Sequence, residues 1–116
     1  AYSMKDCVAT LQELGAAPRQ AVAIGGGSKS ALWRQILADM LAIPLTMVKD
    51  VDSSLGSAML AGVATGVFGT HADAVRACVR VTGVTEPEPE GVAYYTARLP
   101  LYKAIQAALA PIYHQL

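Results

Sequence analysis

Ala21-Val22-Ala23-Ile24-Gly25-Gly26-Gly27-Ser28-Lys29-Ser30-Ala31-Leu32-Trp33-Arg34-Gln35-Ile36-Leu37-Ala38-Asp39-Met40 is the stretch on which the fold turns. Its first four residues form a short apolar run behind Arg19 and Gln20, as expected of a strand buried on both faces in a parallel sheet. Three glycines end the strand. Leu32, Trp33, Ile36, Leu37 and Met40 then recur at helical spacing, with Ser28 or Ser30 in place to cap the helix and Pro44 to stop it. Leu45 to Val48 reads as a second strand, so strand, glycine turn, helix and strand define an α/β layer with adjacent parallel strands.

Upstream, Met4, Cys7, Val8, Leu11 and Leu14 predict a helix over residues 2–14, closed by Gly15 and broken by Pro18. It starts almost at the first residue, as if cut within an element. Downstream, Ser53 or Ser54 caps a helix reaching Phe68, and a shorter helix follows around Asp73 to Val79. Glu86-Pro87-Glu88-Pro89-Glu90 reads as an extended linker. From Val92 onward, Tyr95, Leu99, Tyr102, Ile105, Leu109 and Ile112 share one helical face, with Pro100 expected to bend or restart the helix. The expected order is helix, strand, helix, strand, helix, helix, helix. Two strands are too few for a stable sheet, which points to sequence missing from this chain.

The composition narrows the function. Of 116 residues, 53% are hydrophobic and 16% charged, with a mean hydropathy of +0.37, far from the composition of a disordered chain. So apolar a surface on a small domain suggests faces that belong against something else. Nine Lys and Arg balance nine Asp and Glu, so no global positive field draws the chain to nucleic acid or an anionic membrane. The uncharged stretch from Ser53 to Ala72 is diluted by Gly56, Gly62, Gly66 and Gly69 and reads as a helix of small residues rather than a membrane span. Ala1 to Asp6 lacks the features of a signal peptide, and Cys7 and Cys78 form no metal-binding or CxxC pattern. Free thiols in a reducing cytoplasm are expected, with no metal held by this chain.

Gly25, Gly26 and Gly27 lie where absent Cβ atoms let a ligand touch the backbone, which makes phosphate or nucleotide binding the natural hypothesis beside a bare strand-to-helix turn. A P-loop is excluded, because Ser28 precedes Lys29 and Ala23 holds the earlier glycine position. A dinucleotide fingerprint fits better: Gly25-x-Gly27-x-x-Ser30 opens the helix and Asp50 lies beyond the second strand, although Ser30 replaces the third glycine. That leaves a dinucleotide-dependent oxidoreductase as one alternative, and a non-catalytic interaction module, suggested by the apolar composition, as another.

The run Gly25 to Asp39, followed by Asp50-Val51-Asp52-Ser53-Ser54-Leu55-Gly56-Ser57-Ala58-Met59-Leu60-Ala61, resembles the C-terminal domain of FGGY-family carbohydrate kinases, and within them those acting on the ketose xylulose. The resemblance extends over nearly the whole chain. Ser57 and Ser28 depart from the family's usual alanines, and both keep the side chain small.

The resemblance implies an α/β fold: the C-terminal part of a ribonuclease-H-like, actin-like ATPase domain, with helices packed on a parallel sheet portion. Residues 1–116 would form part of the nucleotide-binding domain of a larger two-domain sugar kinase. It implies ATP-dependent phosphorylation of a ketose, with ATP and Mg²⁺ as cofactors. Gly25, Gly26, Gly27 and Ser30 would bind the nucleotide: Gly26 and Ser30 by contact, Gly25 and Gly27 by shaping the loop, with Lys29 a weaker candidate. The helix carrying Leu55 and Gly56 would back the adenosine pocket. The catalytic base and the sugar contacts would lie upstream, so this chain alone would be inactive and contains no catalytic residue. Its partners would be the sugar and the rest of the same protein, a homodimer being left open. Asp39, Asp50, Asp52, His71 and His114 read as structural, and Trp33 as core rather than an adenine platform.

Overall fold

The computed structural model describes residues 1–49, 51–113 and 115. Helix α1 (Tyr2–Glu13) leads to strand β1 (Ala21–Ala23), a 3-10 turn over Gly26–Lys29, helix α2 (Ala31–Leu41) and strand β2 (Leu45–Lys49). Helices α3 (Ser53–Ala64) and α4 (His71–Cys78), strand β3 (Arg80–Thr85) and the long helix α5 (Pro89–Tyr113) complete the chain. β1 and β2 pair in parallel, as the βαβ pattern requires, with Ala21 beside Leu45 and Ala23 beside Met47.

The sheet is mixed, not parallel throughout. β3 lies antiparallel on the far side of β2, giving the order β1-β2-β3, and it interrupts the expected run of three closing helices. Val81, Thr82, Val84 and Thr85 are the β-branched residues that favour this strand. Helix α5 begins inside the acidic linker, at Pro89, where a proline's fixed φ and missing N–H suit the first helical turn. It continues through Pro100 rather than restarting there.

Helix α2 is the centre of the packing. Leu37, Ala38 and Met40 are buried on it, and Leu37 and Ala38 cluster with Leu45 of β2. Lys5 of α1 donates to the carbonyl of Met40 (2.7 Å), satisfying one of the open carbonyls at the end of α2. Asp39, also buried, faces the other way. Its Oδ1 accepts from the backbone N–H of Glu88 (2.7 Å) and from Gln35 Nε2 (2.8 Å), and the same Gln35 amide donates to the carbonyl of Glu86 (3.0 Å). One helical turn of α2 thereby latches the start of α5. Between α1 and α5, Tyr2 stacks on Tyr102 with ring centroids 5.1 Å apart.

Helix α3 is capped by Asp52 rather than by Ser53 or Ser54, through Oδ1 accepting from Leu55 N–H (3.0 Å) and from the Ser54 hydroxyl (2.6 Å). The Ser54 hydroxyl first, and the Leu55 N–H second, hold the Asp52 carboxyl below its ordinary value of 3.8. A depressed folded-state value means that the cap contributes above 3.8 and is lost as pH falls below it. Hydrogen exchange at the Leu55 amide is therefore expected to accelerate, relative to its intrinsic rate, as pH drops below 3.8, and Asp52→Asn should remove that acid dependence.

Much of the chain's apolar surface is uncovered. The accessible area is 7972 Å², against about 6,000 Å² for a compact monomer of this mass. The radius of gyration is 17.7 Å, where a compact domain of this length has about 13 Å. α1, α2 and α5 gather on one side of the sheet. On the other, Val22, Val81 and Val84 are exposed, around an apolar hollow also lined by Val75 and Val79.

Candidate functional site

The glycine loop lies where β1 ends and α2 begins. Gly25 has φ +80° and ψ −176°, a conformation open only to glycine, and so sets the direction in which the chain leaves the strand. Its carbonyl accepts from the Ser28 hydroxyl (2.7 Å) and the Ser28 N–H (3.2 Å), closing the 3-10 turn. Arg34 Nη1 reaches back from α2 to the Ser28 carbonyl (2.6 Å) and fixes the turn against the helix. By the geometry of such a turn, the N–H groups of Gly26 and Gly27 have no carbonyl inside it to bond.

Two cavities flank this loop, sharing Ile24 and Ser28. The larger, about 470 Å³, is lined by Gly25, Gly26, Lys29, Lys49, Val51 and Thr82 among others. It opens at the carboxyl ends of the two parallel strands, the place where open α/β sheets hold ligands. Its described lining residues include two lysines and no carboxylate, a positive balance on those walls although the chain as a whole is neutral. The smaller, about 250 Å³, is mostly apolar and is lined by Met4, Ala23, Trp33, Leu37 and Leu41, with Arg34 as its charged member.

The four expected nucleotide residues are thus divided. Gly25 and Gly26 face the larger cavity. Gly27 lines the apolar one, where a Cβ would stand 3.3 Å from the Trp33 ring. Ser30 lines neither: its Oγ accepts from Trp33 N–H (3.2 Å) and caps α2. Trp33 is 39% exposed, a wall of the apolar cavity rather than a core residue. Gly56 of α3 lines a separate apolar hollow with Met59, Leu60 and His71, and α3 packs with α4. Asp39 proves structural, as expected. Asp50 and His114 lie outside the described residues.

Lys49 and Thr82 were not singled out from the sequence. Thr82 became visible only with β3, and its signal was the β-branched run of residues 81–85. Among the described residues, no group of three or more His, Cys, Asp or Glu could hold a metal ion, and no helix is long and apolar enough to cross a membrane.

A glycine turn at the carboxyl ends of parallel strands, with a hollow beside it, describes an α/β domain whose loop stands where such sheets hold ligands. Residues 1–65 match the C-terminal domain of the FGGY family of carbohydrate kinases, and the chain belongs to that family of phosphotransferases.

It is 32% identical over 105 residues, or 90% of its length, to a xylulose kinase of Staphylococcus epidermidis, of which it spans 21%. It is 41% identical over 75 residues, 63% of its length, to an autoinducer-2 kinase of Escherichia coli, spanning 14% of that protein. A ligand-bound xylulose kinase from Lactobacillus acidophilus superposes on 98% of the chain with a TM-score of 0.87 at 28% identity, and the chain covers 23% of it. A gluconate kinase from the same organism superposes on 86% of the chain at TM-score 0.77 and 30% identity, with 20% of that kinase covered. The fold is accordingly the C-terminal part of an actin-like ATPase domain.

Proposed function

We propose that residues 1–116 form part of the C-terminal nucleotide-binding domain of a larger two-domain kinase that transfers phosphate from ATP to a ketose, with xylulose the first candidate. The observation that carries this reading is the glycine turn of Gly25, Gly26 and Gly27 at the mouth of the larger cavity. In phosphoryl transfer the protein mainly positions the phosphates and neutralises charge, and backbone N–H groups with nearby lysines suit that work. Gly25 and Gly26 take the phosphate side, Gly27 and Trp33 the apolar side, and Ser30 acts through the start of α2.

The described cavity residues offer Mg²⁺ no carboxylate, and Asp52 is engaged as a helix cap. Among the described residues the cavity therefore supplies that ion no carboxylate ligand, and the phosphate chain itself is what would hold it. The sugar contacts and the catalytic base fall to the rest of the protein, and the uncovered sheet face and the free edge of β1 are the surfaces that rest would meet. Work in the cytoplasm, where ATP is supplied, agrees with this assignment.

Titration calorimetry with ADP, followed by phosphorylation assays on xylulose, gluconate and autoinducer-2, tests the proposal in the intact protein. ADP binding with xylulose as the preferred acceptor is the expected result. Preference for another acceptor would move the substrate within the family, and protection by NAD but not ADP would overturn the nucleotide assignment.

A further inference from the structure

β3 meets β2 with one residue to spare. Met47 pairs with Gly83 and Val48 with Val81, so Thr82 is a bulge residue with no partner of its own across the strand. Bulges of this kind re-aim a side chain and are common beside binding sites. Thr82 lines the larger cavity, together with Lys49 from the last position of β2 and Lys29 from the end of the 3-10 turn.

Resting on the nucleotide reading above, we infer that Lys49 and Thr82 bind the phosphate chain of the nucleoside diphosphate or triphosphate whose backbone contacts come from Gly25 and Gly26. Phosphate oxygens are acceptors only. They need donors and positive charge, and this cavity brings together two ammonium groups, a hydroxyl and the open N–H groups of a glycine turn from three separate stretches of chain. An ammonium on a flexible stem follows a phosphate as a point charge without fixing its rotation. With no carboxylate among the described lining residues, nothing on those walls opposes a polyanion. The apolar cavity on the other side of the loop has one charged lining residue, Arg34. Selection for phosphate length therefore resides in Lys49 and Thr82, and selection for the nucleoside elsewhere.

Calorimetry of ADP and of adenosine on the intact protein separates these roles. Lys49→Gln is expected to weaken ADP about tenfold and Thr82→Val about threefold, with adenosine affinity unchanged in both. Lys49→Arg restores ADP binding, and Lys103→Gln, whose native lysine sits 3.4 Å from Asp6 on the far helices, changes neither ligand. Raising ionic strength weakens ADP in the wild type and does so less steeply in Lys49→Gln. Wild-type ADP affinity no better than that of adenosine, or ADP affinity unchanged in Lys49→Gln, overturns this inference alone. Failure of the wild type to bind either ligand overturns the nucleotide reading together with it.

Discussion

Asp39→Ala is expected to release the start of α5 from α2 at a cost of about 3 kcal/mol. The carboxyl is only 5% exposed and its Oδ1 holds two donors, one of them the backbone N–H of Glu88. Removing it leaves that N–H without its partner beside the first turn of α5, where an acidic group also meets the favourable end of the helix dipole. Gln35 keeps the carbonyl of Glu86, so the latch loosens at Glu88 first. Amide exchange at Glu88 and along the first two turns of α5 should rise by roughly two orders of magnitude, the equivalent of that free energy. Asp39→Asn, which retains an oxygen, should recover most of the protection. Gly91→Ala approaches the same state from the other side, because a Cβ there collides with the Asp39 carboxyl. The double variant should then be less damaging than the sum of the two single ones. Wild-type exchange at Glu88 in Asp39→Ala would show that the latch carries no stability.

Gly25→Ala is expected to spare the fold and cost the site. No atom lies within 4 Å of a Cβ at this position, so the penalty is confined to the backbone at φ +80°, about 2 kcal/mol for a residue forced into that region. The turn can relieve the strain by rotating Gly25, which breaks its carbonyl's bonds to Ser28 and turns the Gly26 N–H away from the cavity. ADP affinity should fall at least about tenfold while the melting temperature stays within a few degrees of the wild type. Gly26→Ala is the matched comparison. It too has open space around the Cβ but no left-handed φ, so it should change ADP affinity much less. Equal ADP affinity in the wild type and Gly25→Ala would remove the loop from the site.

The sequence carried the βαβ unit clearly because each of its parts is a local signal: an apolar run, a glycine turn, a Ser30 cap and Pro44 as a stop. The family resemblance was likewise written in contiguous residues, from Gly25 to Asp39 and from Asp50 to Ala61. β3 was harder to see. Gly83 interrupts its alternation, and its pairing with β2 is a contact between segments more than thirty residues apart, which no window along the chain reports. The division of the loop between two cavities was illegible for the same reason. It depends on where Lys49 and Thr82 arrive in space and on Ser30 spending its oxygen on the Trp33 N–H. At Pro100 the local signal allowed a bend or a restart, and the helix does not restart but continues to Tyr113.

Helix α2 is tied at both ends. Its first residues are joined to the glycine turn through Ser30 and Arg34, and its last turn holds α5 through Asp39 while Lys5 of α1 grips the Met40 carbonyl. Eleven helical residues make a rod of about 16 Å. No joint along that rod can absorb motion, so the turn, α1 and the root of α5 travel as one lever. A hinge in the larger protein is therefore expected to bend outside this lever, and a displacement of α5 to reach the glycine turn through α2.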